Sequence, residues 1–155
     1  MNLARKTLTW YNRPGFLRRS LAQAVAALNW KDGRPMVRLQ KGGPQVPTIW
    51  LLGWRPGDST EIHDHDDSEV GVLCLDGRVT EDIYPYSGKA YFLRRELGEN
   101  GLVSIPSPYY HRVGNLPHNR ENALTLHAYY PKLDKMTLYR ELGAELVPTA
   151  TWEDK

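Results

Sequence analysis

Two histidines one residue apart, His63 and His65, stand in the stretch Glu61-Ile62-His63-Asp64-His65-Asp66-Asp67-Ser68-Glu69. Side chains alternate along an extended chain, so both imidazoles project to one face. Two imidazoles side by side are half of a transition-metal site. The chain has 5 histidines, and the others are His111, His118 and His127. His111 follows the turn Ile105-Pro106-Ser107-Pro108 and opens a strand, which makes it the candidate third ligand. Three neutral imidazoles leave positions open on Fe, Zn, Ni or Cu, as a catalytic site requires. Asp64, Asp66 and Asp67 read as a solvated turn, with one carboxylate orienting a ligand imidazole. His118, in Pro117-His118-Asn119-Arg120, reads as a loop residue. Thr125, His127 and Tyr129 share one face of an apolar strand by the same alternation. Taken alone, His127 there reads as a hydrogen-bonded core histidine. Trp50 and Trp54 read as core or pocket wall.

These residues need a scaffold, and the pattern around them is β. Leu17, Leu21, Ala24, Val25 and Leu28 recur at helical steps, predicting an amphipathic helix over Phe16–Asn29. The stretch 18–28 resembles a leader's apolar core only faintly, since Gln23 interrupts it, and reads as mature helix. Strands follow at 35–40, 48–54, 69–75, 78–86, 90–97, 102–105, 109–113, 123–130 and 136–141, nearly all separated by Gly, Pro or Asn. Asp76-Gly77 is a hairpin signal. The expected architecture is all-β, a sandwich or barrel. It divides into a helical segment (1–34), a barrel (35–142) and a C-terminal tail (143–155), within one domain.

Composition excludes several classes. Hydrophobic residues make up 41% and charged residues 25% of the 155, an ordinary globular balance. With 20 basic and 18 acidic residues the net charge is +2, and no basic run interleaved with aromatics points to nucleic acid. No apolar run is long enough for a spanning helix, so no membrane partner is expected. The single cysteine, Cys74, permits no intrachain disulfide and points to a reducing, cytoplasmic setting.

The motifs now resemble a known pattern. Gly57, His63, His65 and Gly77 resemble the first cupin motif. Gly101, Pro106, Pro108, His111 and Asn115 resemble the second, with Pro108 where the family often has glycine and a Gly101–Pro106 gap one residue short. The resemblance implies a cupin jelly-roll barrel with a metal inside. His63-Asp64-His65, His111-Arg112-Val113-Gly114-Asn115 and Thr125-Leu126-His127-Ala128-Tyr129-Tyr130-Pro131, in this order, further resemble the thiol dioxygenases, cysteine dioxygenase type I. This covers Met36 to Tyr139. It implies Fe2+ held by His63, His65 and His111, with Ni or Zn as substitutes in a purified sample. It also implies a catalytic relay of Thr125, His127 and Tyr129, with threonine in place of the family's serine. The activity implied is addition of O2 to the sulfur of a small thiol, L-cysteine first, giving a sulfinic acid.

Two positions depart from the family. Where mammalian members carry a cysteine crosslinked to the tyrosine, and bacterial members usually glycine, this chain has Val70 beside the substrate, implying no crosslink. The shorter cupin spacing would instead make Glu69 a fourth metal ligand, which fits a different metal cupin, an isomerase or another dioxygenase. The family's carboxylate-binding arginine corresponds to Arg38, with Met36 in place of an aromatic, and a guanidinium suits a carboxylate because it presents paired donors. A register slip would put Gln40 there, as in relatives preferring 3-mercaptopropionate, with Arg140 as the carboxylate partner. A non-catalytic ligand-binding cupin is the alternative from another class. The sequence leaves the oligomeric state open.

Overall fold

The computed structural model describes Leu8 and residues 21–154. A short helix, α1 (Ala22–Ala26), lies within the expected helical segment, while Phe16–Ser20 fall outside the described residues. Eleven strands follow: β1 (Met36–Gln40), β2 (Thr48–Trp54), β3 (Ile62–His63), β4 (Glu69–Asp76), β5 (Val79–Tyr84), β6 (Leu93–Leu97), β7 (Leu102–Ile105), β8 (Tyr110–Gly114), β9 (Ala123–Tyr130), β10 (Lys135–Leu142) and β11 (Glu145–Glu153). They form a five-stranded sheet, β1-β2-β9-β4-β7, and a six-stranded sheet, β11-β10-β3-β8-β5-β6. Every strand pairing is antiparallel. No described helix is long and apolar enough to cross a membrane.

The five-stranded sheet is buried on both faces, which is why its central strands read as continuous apolar runs. Leu52, Trp54, Val70, Val72, Cys74, Ala123 and Tyr129 point between the sheets into one core. The alternating residues Ile49, Leu51, Leu73, Leu126 and Ala128 point the other way, into a second core with Leu8, Leu21 and Leu28. Leu8 and residues 21–28, which include α1, therefore pack on the sheet's outer face. Gly53 makes room for Trp30, because a Cβ there would come within 2.6 Å of its ring. At Asp76-Gly77 the chain does turn, with Gly77 at φ +72, a conformation open to glycine, but no hairpin forms: β4 and β5 lie in different sheets, so the turn is a corner that carries the chain from one sheet to the other.

The tail expected over 143–155 is instead a strand. β11 pairs along the whole of β10, from Lys135↔Glu153 to Leu142↔Glu145. Pro148 disguises it in the sequence, but β11 is an edge strand and Pro148 sits at a register shift, where a missing N–H is tolerated. The hairpin carries Asp154 back toward the first strand, where its carboxylate meets Arg38 at 3.2 Å.

Candidate metal centre

β3 is only two residues long, yet it joins the halves of the six-stranded sheet. His63 pairs with Leu138 of β10 on one side and with His111 of β8 on the other. Beyond it the chain turns through Asp66, at φ 52, with Ser68 N–H donating to the His65 carbonyl. His63, His65 and His111 come together between the sheets, their nearest ring nitrogens all within 4.8 Å of one another. They are 6%, 3% and 0% exposed. The rings lie edge to face or tilted, with centroids 4.6–4.8 Å apart.

Burial holds all three imidazoles below their ordinary range, and for His65 and His111 the neighbouring imidazoles push further the same way. They are neutral at physiological pH, the form that binds metal. For His63 and His111 the lone pair is directed by what holds the other nitrogen. His63 Nδ1 donates to the Glu61 carbonyl at 2.9 Å, which turns its Nε2 lone pair inward. His111 Nδ1 lies 2.7 Å from Glu81 Oε1, and its Nε2 lies 3.0 Å from His65 Nε2. Two facing lone pairs at that distance need a cation or a proton to hold them. With metal–nitrogen bonds of about 2.1 Å, neighbouring ligands at a right angle sit about 3.0 Å apart. The donor set thus fits a transition metal, with every member an imidazole.

Glu81 is the residue that sequence reasoning missed. It is 1% exposed and bridges His111 to Arg95, whose Nε donates to Oε2 at 2.5 Å. Burial raises its pKa, opposed by Arg95. A signal was present: Glu81 and Asp82 are adjacent in a strand, so one of two carboxylates had to face inward. Asp64, the expected orienting region, takes another role. It accepts from Tyr139 Oη at 2.7 Å and from the Thr137 amide at 3.0 Å, pinning β10 to the histidine strand.

Beside the cluster, Thr125, His127 and Tyr129 run along the inner face of β9. His127 Nε2 is 3.0 Å from Thr125 Oγ1, and Tyr129 Oη is 3.4 Å from His127 Nδ1. Trp54 extends the chain, its indole N–H donating to Thr125 Oγ1 at 2.8 Å. Burial pushes His127 down to about 3 and raises Tyr129 above the ordinary phenol, so the first stays neutral and the second protonated. The Tyr129 ring lies 5.4 Å from that of His65. A cavity of about 510 Å³ reaches this centre through His63 and Tyr129, walled by Met36, Trp50, Leu52, Met136 and Trp152.

The family model for cysteine dioxygenase type I matches residues 24–142. The chain belongs to that family. It is 34% identical over 92 residues to cysteine dioxygenase type 1 of Rattus norvegicus, covering 56% of this chain and 46% of that protein. Identity to the Homo sapiens protein of the same name is 33% over 92 residues, with the same coverage of 56% and 46%. The chain spans about half the length of these curated relatives. Among solved structures, an oxalate oxidase matches with a TM-score of 0.56 at 14% identity, covering 68% of this chain and 55% of that one. A cupin superfamily protein from Desulfitobacterium hafniense matches with a TM-score of 0.53 at 12% identity, covering 68% and 84%. At such identities the likeness is one of fold, and that fold is the cupin barrel.

Against the cysteine dioxygenase pattern, Val70 and Arg38 sit differently from what the resemblance implies, and the alternative of Glu69 as a fourth ligand is not met. Val70 pairs with Tyr129, beside it on the inner face of the sheet, and is fully buried in the core; it is not among the residues that line the cavity. Glu69 pairs with Tyr130 on the opposite face, outside the histidine cluster. The turn at Asp66, at φ 52, separates the histidine strand from β4, so the spacing from His65 does not carry Glu69 inward. Arg38 is bound at the cavity's edge, 5.5 Å over Trp50 and paired with Asp154, and is not among the lining residues. Gln40 donates to the Pro47 carbonyl at 2.7 Å, and Arg140 is exposed. The arginine that does line the cavity is Arg34, which sequence reasoning did not single out. His118 is exposed in its loop, as expected.

Proposed function

We propose that this member of the cysteine dioxygenase type I family is an iron-dependent dioxygenase. It adds both atoms of O2 to the sulfur of a small thiol, L-cysteine first, and yields a sulfinic acid. The observation that carries the reading is the cluster of three neutral, buried imidazoles with no carboxylate among them, next to the Tyr129–His127–Thr125 chain. In this reading His63, His65 and His111 hold Fe2+, which supplies a Lewis acid for the thiolate and a binding point for oxygen. The reaction balances without an outside reductant, since sulfur is oxidised as dioxygen is reduced and the thiol proton remains with the product.

The chain's own residues do the rest. Tyr129 keeps its proton and donates a hydrogen bond toward the reacting atoms, held by neutral His127 and, behind it, Thr125 and Trp54. Glu81 keeps the His111 lone pair aimed at the metal by accepting from Nδ1. The apolar cavity wall excludes water from the reacting centre. The outward side of Glu69 counts against a cupin with a carboxylate ligand. The lone buried Cys74 supports a reducing, cytoplasmic setting.

Oxygen uptake tests the proposal. Protein loaded with Fe2+ under anaerobic conditions and then given air should consume oxygen with cysteine, 3-mercaptopropionate or cysteamine. The product should be heavier by two oxygen atoms. Absence of uptake with all three overturns the reading. Tyr129→Phe should reduce turnover about 100-fold or more while leaving iron content intact.

A further inference from the structure

We propose that Arg34, rather than Arg38, receives the anionic end of the substrate. The inference rests on the thiol dioxygenase reading and departs from the residue that the family resemblance implies. Arg38 and Trp50 are register partners on the inner face of the five-stranded sheet, so Arg38 starts from the expected place. Its guanidinium, however, lies 3.2 and 3.3 Å from the two oxygens of Asp154. That carboxylate is delivered by β11 and also sits 3.7 Å from Lys132 Nζ. A substrate carboxylate would have to displace Asp154 to reach Arg38.

Arg34 is differently placed. It lines the same cavity as His63 and Tyr129. Its guanidinium sits 4.9 Å over the Trp54 ring, and Nη2 donates to the Ser59 carbonyl at 2.6 Å. Nη1 is buried and has no hydrogen-bond partner among the described residues. Asp58, the acid that most influences it, is engaged by the Arg55 side chain at 3.0 Å. A permanently charged fork, stacked on an indole, with one nitrogen unpartnered among the described residues and belonging to a residue that lines an apolar cavity, suits a carboxylate once a small side-chain shift uncovers that nitrogen. Stacking and the Ser59 bond fix its plane before the ligand arrives, which reduces the entropy lost on binding.

The test compares 3-mercaptopropionate with its uncharged isostere 3-mercaptopropionamide. Binding to the iron-loaded protein is measured anaerobically by calorimetry, and oxygen uptake is measured on the same samples. Wild type should bind the carboxylate about 10- to 100-fold more tightly than the amide. Arg34→Gln should erase that preference, Arg34→Lys should keep part of it, and Arg38→Gln should leave it in place. Preference retained in Arg34→Gln, lost in Arg38→Gln, or absent from wild type overturns the assignment. If Arg34→Gln fails to fold, an undiminished preference in Arg34→Lys together with a loss in Arg38→Gln overturns it, and the reverse supports it. An Arg34-dependent preference without oxygen uptake leaves the assignment standing and sinks the dioxygenase reading. Uptake without that dependence does the opposite.

Discussion

Replacing Glu81 by glutamine keeps the side chain's volume but removes its charge and turns one of its two acceptor atoms into a donor. Each carboxylate oxygen now takes one donor, His111 Nδ1 at 2.7 Å and Arg95 Nε at 2.5 Å. An amide accepts on its oxygen alone and presents donors on its nitrogen. If the amide oxygen serves Arg95, the amide nitrogen faces His111 and forces the proton onto Nε2. There it points at His65 Nε2, 3.0 Å away, where a metal would bind. If the oxygen serves His111, the amide nitrogen faces a guanidinium donor inside a closed site. Loss of such an orienting partner costs about 10- to 100-fold in metal affinity, or about 1.4–2.7 kcal/mol. Loss of a charge-assisted hydrogen bond also lowers folding stability by about 1.5–3 kcal/mol. The lower end applies here because the Arg95 side chain is 36% exposed and water can replace part of the contact. Two assays read the two effects: competition with a chromogenic chelator for metal affinity, and urea unfolding of the metal-free protein. A folded Glu81→Gln variant that binds Fe2+ or Zn2+ within twofold of wild type would refute the reasoning, because His111 would then not depend on Glu81 for its tautomer.

Three further outcomes follow from the same structure. Burial pushes the Asp82 carboxyl up, but hydrogen bonds and charge from Arg94 and Arg112 outweigh it and hold the group below the ordinary aspartate value of 3.8. Its contribution is therefore present above that pH and lost as pH falls below it. Acid titrations should show the stability gap between wild type and Asp82→Asn constant at neutral pH and closing below about pH 4; a gap widening toward acid contradicts the assignment. Cys74 is fully buried, and burial pushes its thiol up to about 11, so the native protein should resist thiol reagents at pH 8 and react once denatured. Leu126 is fully buried in one core with Leu8, Leu21 and Leu28, on the face of β9 opposite His127, so Leu126→Ala should cost about 2–5 kcal/mol in urea unfolding while metal affinity is retained.

How much of this was legible beforehand depends on whether the signal was local. Alternation in β9 placed Thr125, His127 and Tyr129 on one face, and the structure joins them by hydrogen bonds. The pairing of His63 with His65 was likewise written in their spacing. Where the chain turns, spacing no longer reads the face: the turn at Asp66 separates the histidine strand from β4, and Glu69 is not carried inward. Glu81 left a partial trace, two adjacent carboxylates in a strand, but nothing near it in sequence names His111 as its partner, since the contact spans 30 residues.

The sequence by itself determined the kind of chemistry. Imidazoles at a strand's period, a third one opening a later strand, and a run of short β segments were enough to specify a three-histidine site inside an all-β barrel, because alternation and turn chemistry act within a few residues. Only the tertiary structure decided which charges the cavity sees. The β10–β11 hairpin brings Asp154 across 116 residues to neutralise Arg38, and the approach of the N-terminal segment to the barrel lays Arg34 over Trp54 beside His63 and Tyr129. Such choices rest on long-range register and on which carboxylate reaches which guanidinium in a partly dry site, and no local pattern encodes either.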